Sequence, residues 1–294
     1  MKALGLMSRR IGCLLVGIIA SAYAEGQQQT MLNRAIQRVA ESKPASDRIL
    51  GGNRTTLAAN PWQVALVWSG SRDNMRAQFC GGVILSNEWV LTAGHCVSKD
   101  KGTDAIEVLS GTDSLENGGV RSRVVQYIVH PDFRKPESGI EHNADIALLK
   151  IDLTGPRLTG SAIGSPVSSD SDVAVGAKIL VTGWGVTERR YQPTRYLQAV
   201  EIPYVTNAIC NAAKSYDGRI SENMLCAGEE VGGKDPCQGD SGGPASTSLN
   251  GMRRLVGVVS WGEGCGDPDL YAVFTRASRY RDWVIQVTGN GVSW

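Results

Sequence analysis

The sequence predicts an all-β fold, and three observations carry that reading. Glycine is abundant, at 35 of 294 residues; tight turns use it freely, whereas helix interiors are weakened by it. Short runs rich in β-branched and apolar residues recur from Gln63 onward. Gly, Asn, Asp, Pro and Ser punctuate those runs, the signature of many short strands in a barrel or a sandwich.

In chain order, the first element is not part of the fold. Lys2, Arg9 and Arg10 make a basic start, Ile11 to Ala20 are apolar, and Ala22-Tyr23-Ala24 offers a small-x-small cleavage site. Residues 1–24 read as a secretory signal peptide. Their apolar run is too short for a membrane span, which needs ~20 residues. Residues 25–48 form a polar lead in which Leu32, Ala35, Ile36 and Val39 fall at helical spacing before Pro44 breaks the pattern. A propeptide is the reading of this segment.

From Ile49 the pattern turns to strands. A first set covers Gln63–Val67, Val83–Leu85, Trp89–Thr92, Ser122–Val129 and Ile146–Ile151. A second covers Lys178–Thr182, Leu197–Tyr204, Leu255–Val259 and Ala272–Thr275. Between them, Asp152–Gly176 is rich in Gly, Ser, Pro and Asp and reads as the connection between two β units. Near the end, Tyr280, Trp283, Val284 and Val287 fall at helical spacing and predict one terminal helix packed on the body.

Six cysteines remain once Cys13 of the signal is set aside. In a chain bound for an oxidising compartment they imply disulfides, whose pairing spacing alone leaves open. The formal charge of +1 includes three positive charges in the signal and a net one in residues 25–48, which leaves −3 from Ile49 on. Nucleic-acid binding, which needs a basic stripe, is not expected.

The chemistry lies in Thr92-Ala93-Gly94-His95-Cys96, in Asp145-Ile146-Ala147-Leu148-Leu149, and in Gly239-Asp240-Ser241-Gly242-Gly243-Pro244. A serine hydroxyl is a poor nucleophile unless a base takes its proton during attack. Histidine, with an ordinary pKa of ~6.5, suits that task. A buried carboxylate holds the imidazole in one tautomer and stabilises the imidazolium. Asp145 opens an apolar run, which places it at a buried strand start. The other two histidines, His130 in Val-His-Pro-Asp and His142 in a polar stretch, read as solvated surface residues.

Three rival readings fail. Gly239 to Gly243 fits the G-x-S-x-G pattern of α/β-hydrolases, but those enzymes need a histidine after the serine, and none follows Ser241. Gly233-Lys234 is followed by Asp235, so a phosphate-binding loop would lack its magnesium ligand. Three scattered histidines give no zinc spacing.

Together the three segments resemble the catalytic signatures of trypsin-like serine proteases, and the resemblance covers about Ile49 to Val284. It implies two six-stranded antiparallel β-barrels with a C-terminal α-helix, and a protease domain over residues 49–294. It implies His95, Asp145 and Ser241 as the catalytic triad, with the N–H groups of Gly239 and Ser241 as the oxyanion hole. Arg48-Ile49-Leu50-Gly51-Gly52 resembles the family's activation site. Cleavage after Arg48 would free the Ile49 amine to pair with Asp240 and order the loop, so the precursor is expected to be inactive.

Asp235, six residues before Ser241, matches the base of the trypsin specificity pocket, and Ser260, Trp261, Gly262 and Gly264 match its wall. A carboxylate at the base implies cleavage after Arg or Lys. Ala272 and Pro236 depart from trypsin, where Gly and a Ser or Ala stand. The extra methyl narrows the pocket, and loss of a hydroxyl removes help for a lysine ammonium. Arginine, with its forked pairing, depends less on that help and is expected to be preferred. Family pairing carries over as Cys80–Cys96, Cys210–Cys226 and Cys237–Cys265.

No cofactor or metal is expected, since Gly111–Val120 keeps few acids for a calcium loop. Expected partners are protein or peptide substrates and protein protease inhibitors, without nucleic acid, and without membrane once the signal is removed. The expected form is a secreted monomer, extracellular, or periplasmic in a bacterium. Two alternatives stay open: a catalytically silent binding relative, and a protease with altered primary specificity.

Overall fold

The computed structural model describes residues 50–97, 102–133, 142–169, 172–187, 190–292 and 294. The predicted signal peptide, the lead segment, Arg48 and Ile49 lie outside the described residues.

The first strand, β1 (Asn53–Arg54), is a short edge piece. Six strands then build the first barrel: β2 (Gln63–Trp68), β3 (Gln78–Ile84), β4 (Trp89–Thr92), β5 (Ile106–Ser110), β6 (Val120–Val129) and β7 (Ala147–Ile151). They close in the order β2-β3-β4-β7-β6-β5, every pairing antiparallel. The run Gln-Val-Ala-Leu-Val-Trp of β2 is apolar without alternation, as a strand covered on both faces requires. Val64 and Leu66 share one face of the first barrel's sheet with Ile84, Val90 and Val108. Ala65 and Val67 point the other way, against Leu109, Leu115, Trp184 and Leu197.

After the strandless connection come β8 (Lys178–Gly183), β9 (Val186–Thr187), β10 (Arg190–Pro193) and β11 (Gln198–Val205). They are followed by β12 (Met224–Ala227), β13 (Pro244–Leu249), β14 (Met252–Trp261) and β15 (Ala272–Arg276). Strand β8 pairs with β13 on one side and β11 on the other, which closes β8-β11-β12-β15-β14-β13 into a second six-stranded barrel. Strand β1 adds at the β11 edge, and β9 pairs with β10 as a separate ribbon. Ile179, Val181, Val200, Ile202, Leu225, Val256 and Phe274 fill the second core. The terminal helix, Arg281–Thr288, buries Val284 fully and packs its apolar stripe into the core cluster of the first barrel.

Three disulfides join Cys80 to Cys96, Cys210 to Cys226 and Cys237 to Cys265. Among the described residues no helix is long and apolar enough to cross a membrane.

Two glycines of β3 are fixed by contact. At Gly82 a Cβ would lie 2.9 Å from methyls of both Val64 and Val90, and at Gly81 it would lie 2.9 Å from the Gly243 Cα. Gly82→Ala overpacks the first barrel and is expected to cost about 1–3 kcal/mol. Urea unfolding should show a lower midpoint at unchanged slope; an unchanged midpoint would mean that β2 and β4 can give way.

Candidate active site

Asp145 lies in the segment leading into β7 and has no exposed surface. Its carboxylate is held by three donors. The His95 backbone N–H reaches Oδ1 at 2.8 Å, and His95 Nδ1 and the Ser260 hydroxyl reach Oδ2 at 2.7 and 2.5 Å. Burial pushes this carboxyl upward, but the hydrogen bonds and charge of His95 and the Ser260 hydroxyl outweigh it and hold it below the ordinary value. With Nδ1–H turned to Asp145, the lone pair of a neutral His95 is on Nε2.

His95 stands on a single helical turn, Gly94–Val97, directly after β4. Gly94 leaves little room there: a Cβ would meet the Phe133 ring at 3.1 Å and Asp145 Oδ1 at 3.2 Å. The neighbouring Cys96 sulfur lies 3.8 Å from His95 Nε2 and 3.7 Å from the Ser241 carbonyl oxygen, so the base and the serine loop meet at the first disulfide. The Gly81 N–H of β3 donates to that same Ser241 carbonyl at 2.7 Å.

Ser241 is flanked by left-handed glycines, Gly239 at φ +94° and Gly242 at φ +82°. Among the described residues, the N–H groups of Gly239 and Ser241 donate to no acceptor. Gln78 was not anticipated from the sequence. Its Nε2 donates to the Gly239 carbonyl at 2.7 Å and to the Cys80 carbonyl at 3.2 Å, so it holds the Gly239 turn in place. No motif marks such a residue; only its position two residues before Cys80 hints at the site.

Asp240 is fully buried and accepts from the Gly185 N–H at 2.7 Å and the Cys237 N–H at 3.0 Å. Burial pushes its carboxyl up to about 6 against those two bonds. Among the described residues no cation pairs with it.

A cavity of about 440 Å³ opens beside Ser241, lined by Cys237, Gln238, Ser260, Trp261, Gly262 and Gly264 among others. Asp235 and Ala272 are buried, 7% and 4% exposed. The Asp235 carboxylate accepts from the Gly266 N–H at 2.8 Å, next to the Cys237–Cys265 bridge. Burial pushes its carboxyl up to about 7, against that one hydrogen bond and with a further push from Asp240 and Asp267.

The two remaining histidines differ from their sequence reading. His130 follows β6, but its ring packs at 5.0 Å from both Tyr280 and Trp283. Burial lowers its pKa, opposed by Asp132. His142 takes a left-handed backbone, φ +57°, and turns its ring toward His95, with centroids 5.7 Å apart. Ring contacts from residues distant in sequence, Tyr280 and Trp283 at His130 and His95 and Trp261 at His142, leave both half-buried, and local polarity could not show that.

The Asp145 arrangement makes a pH prediction. A carboxyl held below 3.8 stabilises the fold above that pH and loses the contribution as pH falls through its folded value. Ser260→Ala removes one donor, so the acid-unfolding midpoint should move to higher pH, with a loss of about 1–3 kcal/mol near neutrality. An unmoved midpoint would mean that Ser260 contributes nothing to the carboxylate.

A family model described as Trypsin matches residues 49–284. Coagulation factor XI of Bos taurus is 37% identical over 247 residues, covering 82% of this chain and 38% of that protein. Trypsin 5G1 of Aedes aegypti is 37% identical over 248 residues, covering 83% of this chain and 86% of that one. The chain therefore spans well under half of the first relative and most of the second. With two closed antiparallel barrels and a family match over most of its length, the chain belongs to the trypsin family of serine endopeptidases.

Proposed function

We propose that this chain is a secreted endopeptidase, made as an inactive precursor and cutting after Arg in preference to Lys. Residues 1–24 are its signal, 25–48 its propeptide and 49–294 its protease domain. The observation that carries the reading is the hydrogen-bonded Asp145–His95 pair, set against the Ser241 loop beside a cavity.

In this reading His95 Nε2 takes the Ser241 hydroxyl proton as Oγ attacks the substrate carbonyl carbon. The oxyanion that forms is met by the N–H groups of Gly239 and Ser241, each such donor being worth ~3–4 kcal/mol. Asp145 stabilises the imidazolium, which then protonates the leaving amine. Water repeats the sequence on the acyl-enzyme and releases the acid.

Asp240 is the switch. A fully buried carboxylate with backbone donors alone is an incomplete pair. Cleavage after Arg48 would supply the Ile49 ammonium and fix the turn that carries Gly239. Asp235 stands similarly: its buried charge is met in part by one N–H, and a substrate guanidinium would complete it. Ser260, Trp261, Gly262 and Gly264 shape the approach, and the Ala272 methyl tightens it. The partners are protein or peptide substrates and protein inhibitors, and the enzyme works as a monomer.

The test is cleavage of matched Arg, Lys and Phe peptide substrates before and after cutting at Arg48. Arg cleavage should appear only after the cut and exceed Lys cleavage. Because burial pushes the Asp235 carboxyl up to about 7, KM for the Arg substrate should rise as pH falls below that value. Asp235→Ser should lower kcat/KM for Arg by about 10²–10³-fold, the scale of removing one partner of a buried charge pair. No cleavage by a correctly processed chain would favour a silent binding relative, and cleavage of Phe alone would overturn the pocket assignment.

A further inference from the structure

His142 has no part in the proposed reaction, yet it is poised over the base. Its ring centroid lies 5.7 Å from that of His95, 6.4 Å from Phe133 and 6.3 Å from Trp261. One ligating atom each of His142, His95 and Asp145 lies within 4.8 Å of the others. We propose that His142 and His95 form a reversible inhibitory site for a divalent transition metal of the zinc class.

The donor set selects the metal. Imidazole nitrogens suit zinc, copper and nickel, whereas calcium and magnesium require oxygen ligands. Asp145 has both carboxylate oxygens engaged by donors, from His95 and Ser260, so it stands behind His95 as a supporting group. A ligating histidine whose other nitrogen is held by a carboxylate is a common device in metal sites, because it fixes the ring and raises its basicity. Water completes the coordination, so the site is weak compared with a structural zinc site. A second cluster, Cys80, His95 and Cys96, offers no competing thiolate, since both sulfurs are in a disulfide. His130 is packed against Tyr280 and Trp283 and joins neither group.

The consequence is mutual exclusion. The metal needs a neutral imidazole with a free lone pair, which is what general-base catalysis also needs. A metal held by His142 therefore removes the base without touching the specificity pocket. The inhibitory effect rests on His95 serving as the base; the binding does not, and the two are measured apart.

The probe is zinc chloride in a buffer that does not chelate metals. With the chain cut after Arg48, Arg-substrate hydrolysis should be inhibited at micromolar zinc and recovered with EDTA. His142→Leu and His142→Gln, each compared with its own zinc-free rate, should need at least about tenfold more zinc, a factor of ten in binding. Calorimetry on Ser241→Ala should show one zinc site that disappears when His142→Leu is added, with circular dichroism confirming the fold of each variant. Equal zinc sensitivity with and without His142, or no zinc site in the Ser241→Ala titration, would overturn the proposal. A failed protease reading would instead appear as a zinc site that depends on His142 in a chain that cleaves nothing.

Discussion

A carboxylate taken wholly out of water must be met by donors, and Asp145 obtains them from two different barrels. His95 comes from the end of β4 in the first, and Ser260 from β14 in the second. The Thr275 hydroxyl of β15 also donates to the Asp145 backbone carbonyl at 2.7 Å. Neither barrel alone can satisfy this residue, so the charge becomes fully paired only when the two are docked. Desolvation makes a lone buried charge costly by several kcal/mol, and the same penalty that would destabilise a separated barrel specifies how the two fit together.

The contrast among three buried carboxylates follows from donor count. Asp145 has a chargeable histidine, a hydroxyl and a backbone N–H, and is held below the usual range. Asp240 has two backbone N–H groups and Asp235 has one, and burial wins at both. Small residues make these environments tight. A Cβ at Gly183 or Gly185 would fall 2.1 or 2.3 Å from an Asp240 carboxylate oxygen, so bare backbone is what allows the carboxylate to be enclosed there. The same logic brings Gly81 against Gly243 and couples β3 to the serine loop.

Much of the fold was legible. Runs such as Lys178–Thr182 and Ala272–Thr275 carry enough apolar and β-branched residues to be read one by one, and the terminal helix shows in the spacing of Trp283, Val284 and Val287. Strands β1, β5, β9, β10, β12 and β13 lie outside the runs read from the sequence. Ala245 to Ser248 in β13 are small or hydroxylated, and Pro244 looks like a breaker although the first position of a strand tolerates it. At the candidate site, His95, Asp145 and Ser241 stand out in the sequence because the chemistry proposed for them demands particular side chains. Gln78 and His142 do not, because each meets the site through a neighbour far away in sequence. The burial of Asp235 likewise depends on tertiary packing, which no local pattern encodes.

The terminal helix follows the last strand of the second barrel, yet Tyr280, Trp283, Val284 and Val287 complete the core cluster of the first. The barrel made first thus waits for residues made after the second barrel to cover part of its apolar surface. Until the helix has been made, the part of the first barrel that it covers has no partner from this element. Order of synthesis and order of completion are therefore reversed, and loss of this helix would do most damage to the barrel made first.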